Sequence, residues 1–188
     1  LPALGTAMLW ALLLYAGYCT IASSLACFFP RSVTRDQQDA DPFADTDYNG
    51  TDSPCADRIH LLESPVDGLG VRLALFETAG QSLDIVCHTI HPGPSTAAFF
   101  DAVREAAARG VCVRILLDGK ASSVRPRSVA IVKSLARHPG IEVRRYNPLR
   151  LLKPWKLHYL MHDKFIVADG RCLLLGGRNI GDKFFAPD

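Results

Sequence analysis

The chain contains 188 residues, which is enough for one domain of ordinary size together with an appendage. Its formal net charge of +2 conceals an uneven distribution: residues 58–188 hold 19 Lys and Arg against 12 Asp and Glu, whereas residues 31–57 hold seven Asp and two Arg. The six cysteines include no closely spaced pair, so the sequence offers no ligand cluster for a zinc module. Three of them fall in apolar runs and are predicted to be buried thiols: Cys87, Cys112 and Cys172.

The N-terminal segment, residues 1–30, contains no charged residue and is apolar almost throughout. The run exceeds the roughly 20 residues that a helix needs to cross a bilayer. It is also longer than the apolar region of a cleavable signal peptide, which has about 7–15 residues. Residues 1–30 are therefore predicted to be a transmembrane anchor that places the protein at a membrane, on a side that the sequence leaves open. Residues 31–57 are acidic and show no apolar period, so they are predicted to be a flexible linker.

Residues 58–188 alternate between patterns typical of strands and of helices. The predicted strands are 58–64, 82–90, 111–119 and 141–148, and the predicted helices are 68–80, 96–110 and 128–140. Strands separated by helices imply right-handed βαβ units and an α/β fold whose largely parallel sheet carries helices on both faces. The positive charge of this region indicates an anionic partner, either a lipid head group or a nucleic acid.

The segment MHDKFIVADGRCLLLGGRN, residues 161–179, predicts a β-hairpin. Its two apolar strands are joined by Asp169-Gly170, a dipeptide that favours tight turns. Because side chains alternate along a strand, His162 and Lys164 are predicted to project from the same face.

Folding this hairpin brings Gly176 and Gly177 beside His162, and their lack of side chains leaves room for a bulky anionic group. Asn179 then adds an amide at the same edge. An imidazole, an ammonium group and an amide around an open slot suit a phosphate, because lysine neutralises charge and histidine can attack phosphorus or move a proton.

His162, Lys164 and Asp169 fit the pattern H-x-K-x(4)-D, and GGRN follows at 176–179. These residues resemble the signature of the phospholipase D superfamily, in which G-S-x-N typically follows the motif. Gly177 stands in place of the serine, so the hydroxyl contact expected there is absent. Residues 58–188 resemble the first half of bacterial cardiolipin synthase-like proteins. The resemblance implies a phospholipase D-like mixed sheet flanked by helices.

The resemblance also implies a mechanism. His162 would attack the phosphodiester and form a phosphohistidine, while a second histidine, from a second copy of the motif, would protonate the leaving alcohol. Lys164 and Asn179 would bind the phosphate oxygens and stabilise developing charge. Asp169, at the turn, would orient or brace rather than react. This mechanism needs no metal ion or cofactor, and the sequence shows no set of metal ligands.

Three other histidines, His88, His91 and His158, are predicted to be surface or hydrogen-bonded residues rather than catalytic groups. The stretch 144–159 interleaves basic residues with Trp155 and Tyr159. This pattern favours contact with a membrane surface, and nucleic-acid binding is the alternative for the same stretch.

The leading hypothesis is a membrane-bound phosphatidyltransferase of cardiolipin synthase type that acts on anionic phospholipid, or a phospholipase D that uses water as acceptor. The alternatives are a single-motif nuclease acting as a homodimer and a non-catalytic lipid-binding module. Only one copy of the motif is present, so the chain is predicted to lack a second catalytic half, or to need a homodimer partner, and to be inactive alone. Phe184 and Phe185 are predicted to have no packing partners until such a half covers them.

Overall fold

The computed structural model describes residues 2–28 and 59–185. The predicted linker at 31–57, which includes Cys55, lies outside the described residues. Helix α1 spans Pro2–Phe28 and contains no charged side chain. Among the described residues, it is the one helix long and apolar enough to cross a bilayer, over Leu4–Phe28. Its length and composition agree with the predicted anchor.

Five strands form one sheet in the α/β part of the chain. They are β1 (Ser82–Cys87), β2 (Cys112–Asp118), β3 (Ile141–Tyr146), β4 (Phe165–Ala168) and β5 (Cys172–Leu175). Their order in the sheet is β3-β2-β1-β4-β5. The first three strands pair in parallel, whereas β4 pairs antiparallel with both β1 and β5. Four of the five strands therefore run in one direction, which confirms the predicted mixed, largely parallel sheet.

Three helices of ten or more residues accompany the sheet, and each begins at a proline. The fixed φ of proline suits the first helical turn, where its missing N–H has no partner to lose. These helices are α2 (Pro65–Thr78), α3 (Pro94–Ala108) and α5 (Pro126–Leu135). The shorter elements are α4 (Ala121–Val124) and 3-10 turns at Pro154–His158 and Asp182–Phe184.

The strand predicted at 58–64 is wrong, because the described residues 59–64 form no strand. The chain there leads into α2 instead. The side chain of Ser64 accepts a hydrogen bond from the N–H of Asp67 at 3.4 Å, and Pro65 follows as the first helical residue. A capping serine next to a proline is a helix start signal, so α2 begins three residues before the predicted bound.

The three long helices pack on one face of the sheet and share one core with it. Phe76 of α2, Phe99 of α3 and Leu135 of α5 are fully buried there, over Leu83 of β1 and Ile115 of β2. The prediction of helices on both faces is wrong for the described residues. The strands β1, β2 and β3 are successive neighbours, so two right-handed connections that advance in the same direction place α3 and α5 on the same side.

The burial of the three cysteines in the sheet follows from this one-sided packing. Cys87 faces the helices and is 2% exposed, and burial raises the pKa of its thiol to about 12. Cys112 and Cys172 were predicted to be buried, but both are exposed. Cys112 starts β2 on the face that no helix covers, and Cys172 starts the edge strand β5.

The two C-terminal phenylalanines are packed within this chain, so the prediction that they lack partners is wrong. Phe185 is 4% exposed, and the guanidinium carbon of Arg72 lies 5.2 Å from its ring centre. The ring centre of Phe184 lies 5.8 Å from that of His91.

The predicted hairpin of β4 and β5 is confirmed. Asp169 and Gly170 adopt positive φ angles of 54° and 65°, and the N–H of Arg171 donates to the carbonyl of Ala168 at 3.0 Å. Positive φ at both central residues is the conformation that Asp-Gly tolerates well. The carboxylate of Asp169 then accepts three backbone N–H groups at 2.8–2.9 Å from residues 80–82, where the chain enters β1. These bonds join the hairpin to the start of the central strand, and they lower the pKa of Asp169.

We expect Asp169→Asn to lower the melting temperature of the full chain by several degrees at neutral pH, because the amide has one acceptor oxygen and no charge. The folded pKa lies below the ordinary value of 3.8, so the wild-type advantage is present above that pH and is lost as the pH falls through the folded pKa. Thermal melts followed by circular dichroism at neutral and strongly acidic pH measure both effects. Asp101→Asn is the control, since Asp101 forms only an exposed pair with Arg104. Equal melting temperatures for wild type and Asp169→Asn at neutral pH would contradict the bracing contact.

Candidate active site

The predicted site lies at the edge of the sheet where the parallel strands have their carboxyl ends, a common place for ligands in α/β proteins. β3 and β4 lie on opposite sides of the pair formed by β1 and β2. The connection at 147–164 must therefore cross the carboxyl ends of β2 and β1 before it enters β4. This crossing brings His162 and Lys164 to the residues that follow β1.

Met161, the residue before the predicted nucleophile, is held at both of its backbone polar groups. Its N–H donates to Oδ2 of Asp118 at 3.1 Å, and its carbonyl oxygen accepts from Nδ1 of His88 at 2.9 Å. Asp118 is fully buried at the end of β2, and its other oxygen accepts two N–H groups from the following turn. A carbonyl oxygen only accepts, so Nδ1 of His88 carries a proton. The clamp fixes where the chain presents His162.

His162 is exposed at this edge, and its ring centre lies 4.8 Å from the ring centre of His88. Lys164 is only 6% exposed, and its ammonium group donates to the carbonyl oxygen of His162. Burial lowers the pKa of Lys164, against the opposing effect of Asp163. The prediction that strand alternation pairs the two side chains is wrong, because β4 begins at Phe165 and both residues precede it.

The two glycines follow β5, and the first of them pairs with Lys164. The N–H of Gly176 donates to the carbonyl of Lys164 at 3.1 Å, which continues the hairpin pairing beyond β5. Both Gly176 and Gly177 are exposed, and a Cβ on either would meet no atom within 4 Å. The space beside Lys164 is therefore open to a bulky group, and it would also accommodate a serine at position 177.

Asn179 is joined to the residues after β1. Its Oδ1 accepts the N–H of Thr89 at 3.1 Å, and the next residue, Ile180, pairs in parallel with Ile90. The oxygen is thereby engaged, and the amide NH₂ has no recorded acceptor among the described residues. His162, Lys164 and Asn179 thus lie around the end of β1, and their role as a phosphate site stays a prediction.

Three cationic side chains line one small cavity under this edge: Arg72, Lys164 and Arg178. Arg72 is 6% exposed, and burial, followed by repulsion from Arg178, lowers its pKa to about 10. Arg72 donates to the carbonyl of Gly68 and Arg178 to that of Glu63, and none of the three cations pairs with a carboxylate among the described residues. The lining of this cavity therefore carries three cations without a directly paired carboxylate among the described residues.

Sequence reasoning singled out neither Asp118 nor Arg72. Asp118 directly follows an apolar run at the carboxyl end of a strand, and that position could have identified it. Arg72 interrupts the apolar pattern of α2, but the sequence does not show what it faces. Of the other histidines singled out in the sequence, His91 has its ring 3.2 Å from the hydroxyl of Thr89, next to Asn179, and His158 is exposed. The described residues contain no cluster of three or more metal-ligating side chains.

Comparison with known proteins gives the following. Residues 73–187 match the family described as "Cardiolipin synthase, PLD-like domain". The chain is 39% identical over 133 residues to cardiolipin synthase C of Escherichia coli, covering 66% of this chain and 28% of that protein. It is 36% identical over 75 residues to a cardiolipin synthase of Oceanobacillus iheyensis, covering 40% of this chain and 15% of that protein. It thus spans less than a third of either relative's length.

Among solved structures, NucT from Helicobacter pylori superimposes with a TM-score of 0.54 at 21% identity. The match covers 66% of this chain and 74% of NucT. At this level of identity the likeness concerns the fold, and it agrees with the mixed sheet described above.

We expect Asp118→Ala to destabilise the protein by at least about 1–3 kcal/mol, because three backbone N–H groups lose a buried acceptor. Chemical denaturation of the full chain measures the change in unfolding free energy. Asp163→Ala is the matched control, since Asp163 is exposed on the same segment and accepts no recorded hydrogen bond. A loss no larger than that of the control would show that the clamp on Met161 does not depend on Asp118.

Proposed function

Because the chain belongs to the phospholipase D superfamily and contains its PLD-like cardiolipin synthase domain, we propose that it supplies the nucleophilic half of a phosphatidyltransferase. The observation that carries the proposal is the exposed residue His162, whose carbonyl accepts from the buried ammonium group of Lys164, at an edge of the sheet where Arg72 and Arg178 line the same cavity as Lys164. A phosphodiester anion would bring the negative charge that these cations lack.

His162 acts as the nucleophile in this proposal. A ring nitrogen attacks phosphorus, the bond between phosphorus and the head-group oxygen breaks, and a phosphohistidine forms. Lys164 and the free amide NH₂ of Asn179 bind the phosphate oxygens, whose charge increases in the transition state. A second alcohol, or water, then attacks phosphorus and releases His162. Asp169 stays at the turn, with its carboxylate occupied by three backbone N–H groups.

His88 does not supply the acid that the leaving alcohol needs. In-line displacement places the attacking and leaving atoms on opposite sides of phosphorus. The rings of His162 and His88 have centres 4.8 Å apart in edge-to-face contact, which leaves no room for a phosphate between them. Nδ1 of His88 is also engaged by Met161. We therefore infer that the proton comes from a histidine of a second catalytic half, or of a partner copy.

The proposed donor is an anionic phospholipid. The support is helix α1, which is long and apolar enough to hold the site at a bilayer, and the cardiolipin synthase relatives named above. A single-motif nuclease acting as a homodimer is the competing function, and it predicts the opposite preference in the experiment below.

The test uses donors that need no acid. Because p-nitrophenolate leaves without a proton, the full chain in detergent should release one equivalent from phosphatidyl-p-nitrophenol in a burst and retain a phosphatidyl adduct on His162. His162→Asn should show no burst, and Lys164→Met should slow it by roughly 10²–10³-fold. Absorbance and intact-mass measurements follow both. His158→Asn and Lys133→Met are the controls, and both should react like wild type.

The same leaving group on thymidine 5′-phosphate separates the two functions. The lipid donor should react at least tenfold faster than the nucleotide donor. The reverse preference would overturn the lipid function, and a burst that survives in His162→Asn would overturn the assignment of the nucleophile.

With phosphatidylglycerol itself, we expect no glycerol release from the full chain alone, because the leaving alkoxide requires a proton. His88→Asn, whose side-chain NH₂ can still donate to the carbonyl of Met161, should retain the p-nitrophenolate burst, since His88 is not the acid. Chromatography with light scattering measures the oligomeric state, and assays of glycerol release and DNA cleavage on the same sample measure the two activities. Glycerol release by a monomer would contradict the need for a second histidine, and a dimer that cleaves DNA would favour the nuclease.

A further inference from the structure

A second cationic pocket lies at the same edge of the sheet, at the end of β3. It encloses about 320 Å³ and is lined mainly by six residues: Arg145, Tyr146, Asn147, Arg150, Lys156 and Tyr159. β3 is three strand spacings from β4 in the sheet, so the pocket lies about 14 Å from the strand that follows His162. It is therefore distinct from the candidate active site but opens on the same edge.

The backbone around this pocket is fixed. Asn147 adopts a positive φ of 42°, and its amide NH₂ donates to the carbonyls of Lys156 at 2.6 Å and Tyr159 at 2.9 Å. The N–H of Gly119 donates to the carbonyl of Tyr146 at 2.7 Å. A Cβ at Gly119 would lie 2.6 Å from that carbonyl oxygen, so the close approach needs a glycine. The pocket is thus built by the fold before any ligand arrives.

The charge of the pocket is one-sided. Arg145, Arg150 and Lys156 line it, and no carboxylate does. None of these three cations forms an ion pair among the described residues, whereas the neighbouring Glu142 pairs with Arg144 at 2.5 Å. Three unpaired cations in a preformed concavity favour an anion with several acceptor oxygens, such as a phosphodiester.

The surroundings of the pocket favour a lipid as the source of that phosphodiester. Leu149, Leu157 and Leu160 are 57%, 47% and 58% exposed on the same connection. Tyr146 and Tyr159, which line the pocket, are also about half exposed. Exposed leucines beside tyrosines and basic side chains are typical of a surface that enters the head-group region of a bilayer. A nucleic acid would leave these leucines in water.

We propose that this pocket binds the head group of an anionic phospholipid as a second, non-reacting phosphodiester site. The choice of lipid rests on the proposed function, but the pocket itself does not use His162. Its lining contains no histidine, cysteine or serine. Its ligand would hold the carboxyl edge of the sheet against the membrane.

Native mass spectrometry of the full detergent-solubilised chain, titrated with dioleoylphosphatidylglycerol, tests the proposal. All variants carry Lys164→Met, which weakens the phosphate site at His162. Adding Arg145→Gln, Arg150→Gln and Lys156→Gln should weaken lipid binding at least tenfold. The matched control adds Arg127→Gln, Lys133→Gln and Arg137→Gln, which remove the same charge from exposed positions of α5 and the turn after it, and should change binding less than twofold.

Two further ligands identify what the pocket recognises. Dioleoylphosphatidylcholine, which is zwitterionic, and glycerol 3-phosphate, which lacks acyl chains, should each bind at least tenfold more weakly than phosphatidylglycerol. Equal losses of lipid binding in the pocket variant and in the matched control would show that only the net charge matters, and this would overturn the proposed pocket. If glycerol 3-phosphate bound as tightly as phosphatidylglycerol, or oligothymidylate bound more tightly, the assignment of a lipid as the ligand would be overturned.

Arg150→Glu alone provides a check on folding, since the side chain of Arg150 is exposed and forms no ion pair among the described residues. It should lose binding while keeping the wild-type circular dichroism spectrum and melting temperature. If the pocket variants bind normally while the p-nitrophenolate burst depends on His162, only the pocket is overturned. If the wild-type chain shows no burst while the pocket variants lose lipid binding as expected, only the proposed function is overturned.

Discussion

The candidate site depends on a constraint of topology: the chain must cross the ends of β2 and β1 to travel from β3 to β4. An unsupported crossing would leave backbone polar groups without partners and the reactive residue without a fixed position. The structure meets both needs with few side chains. Asp118 and His88, at or just beyond two strand ends, bind the N–H and the carbonyl of Met161, and the next residue is His162. At the far side, Asp169 joins the returning hairpin to the start of β1. The segment that carries His162, the proposed nucleophile, is thereby held by backbone contacts at both ends.

The same arrangement explains why one catalytic half is asymmetric. In the proposed function it supplies a nucleophile, cationic support and an open edge, but His88, the imidazole beside His162, makes a structural contact with Met161. A histidine in ring contact with the nucleophile can orient it, whereas protonation of a leaving group requires access from the opposite side of the phosphate. The geometry of His88 is therefore a more direct argument for an acid from a second half than the presence of a single motif is.

Much of the fold could be predicted from local sequence patterns, because helix and strand periodicity and the Asp-Gly turn depend on neighbouring residues. The hairpin, the three parallel strands and three long helices were predicted, and the location of Gly176, Gly177 and Asn179 near His162 followed from the turn. The errors concern tertiary placement. The side of the sheet that the helices cover follows from strand order, which the sequence does not display, and the exposure of Cys112 follows from that side. His162 and Lys164 were assigned to a strand, but β4 begins at Phe165, directly after Lys164. Asp118 and Arg72 act through partners more than 40 residues away or on another element, so no short window reveals them.

The uncompensated cations under the glycine-rich segment have a thermodynamic consequence. Burial lowers the pKa of Arg72, and repulsion from Arg178 lowers it further. Any anion that binds there relieves the repulsion and so stabilises the folded state in proportion to its occupancy. The lipid composition of the surrounding bilayer would then act as a variable in the conformational equilibrium of this chain. In a membrane poor in anionic head groups, the folded state of this chain would be less stable than in a membrane rich in them, even without any reaction.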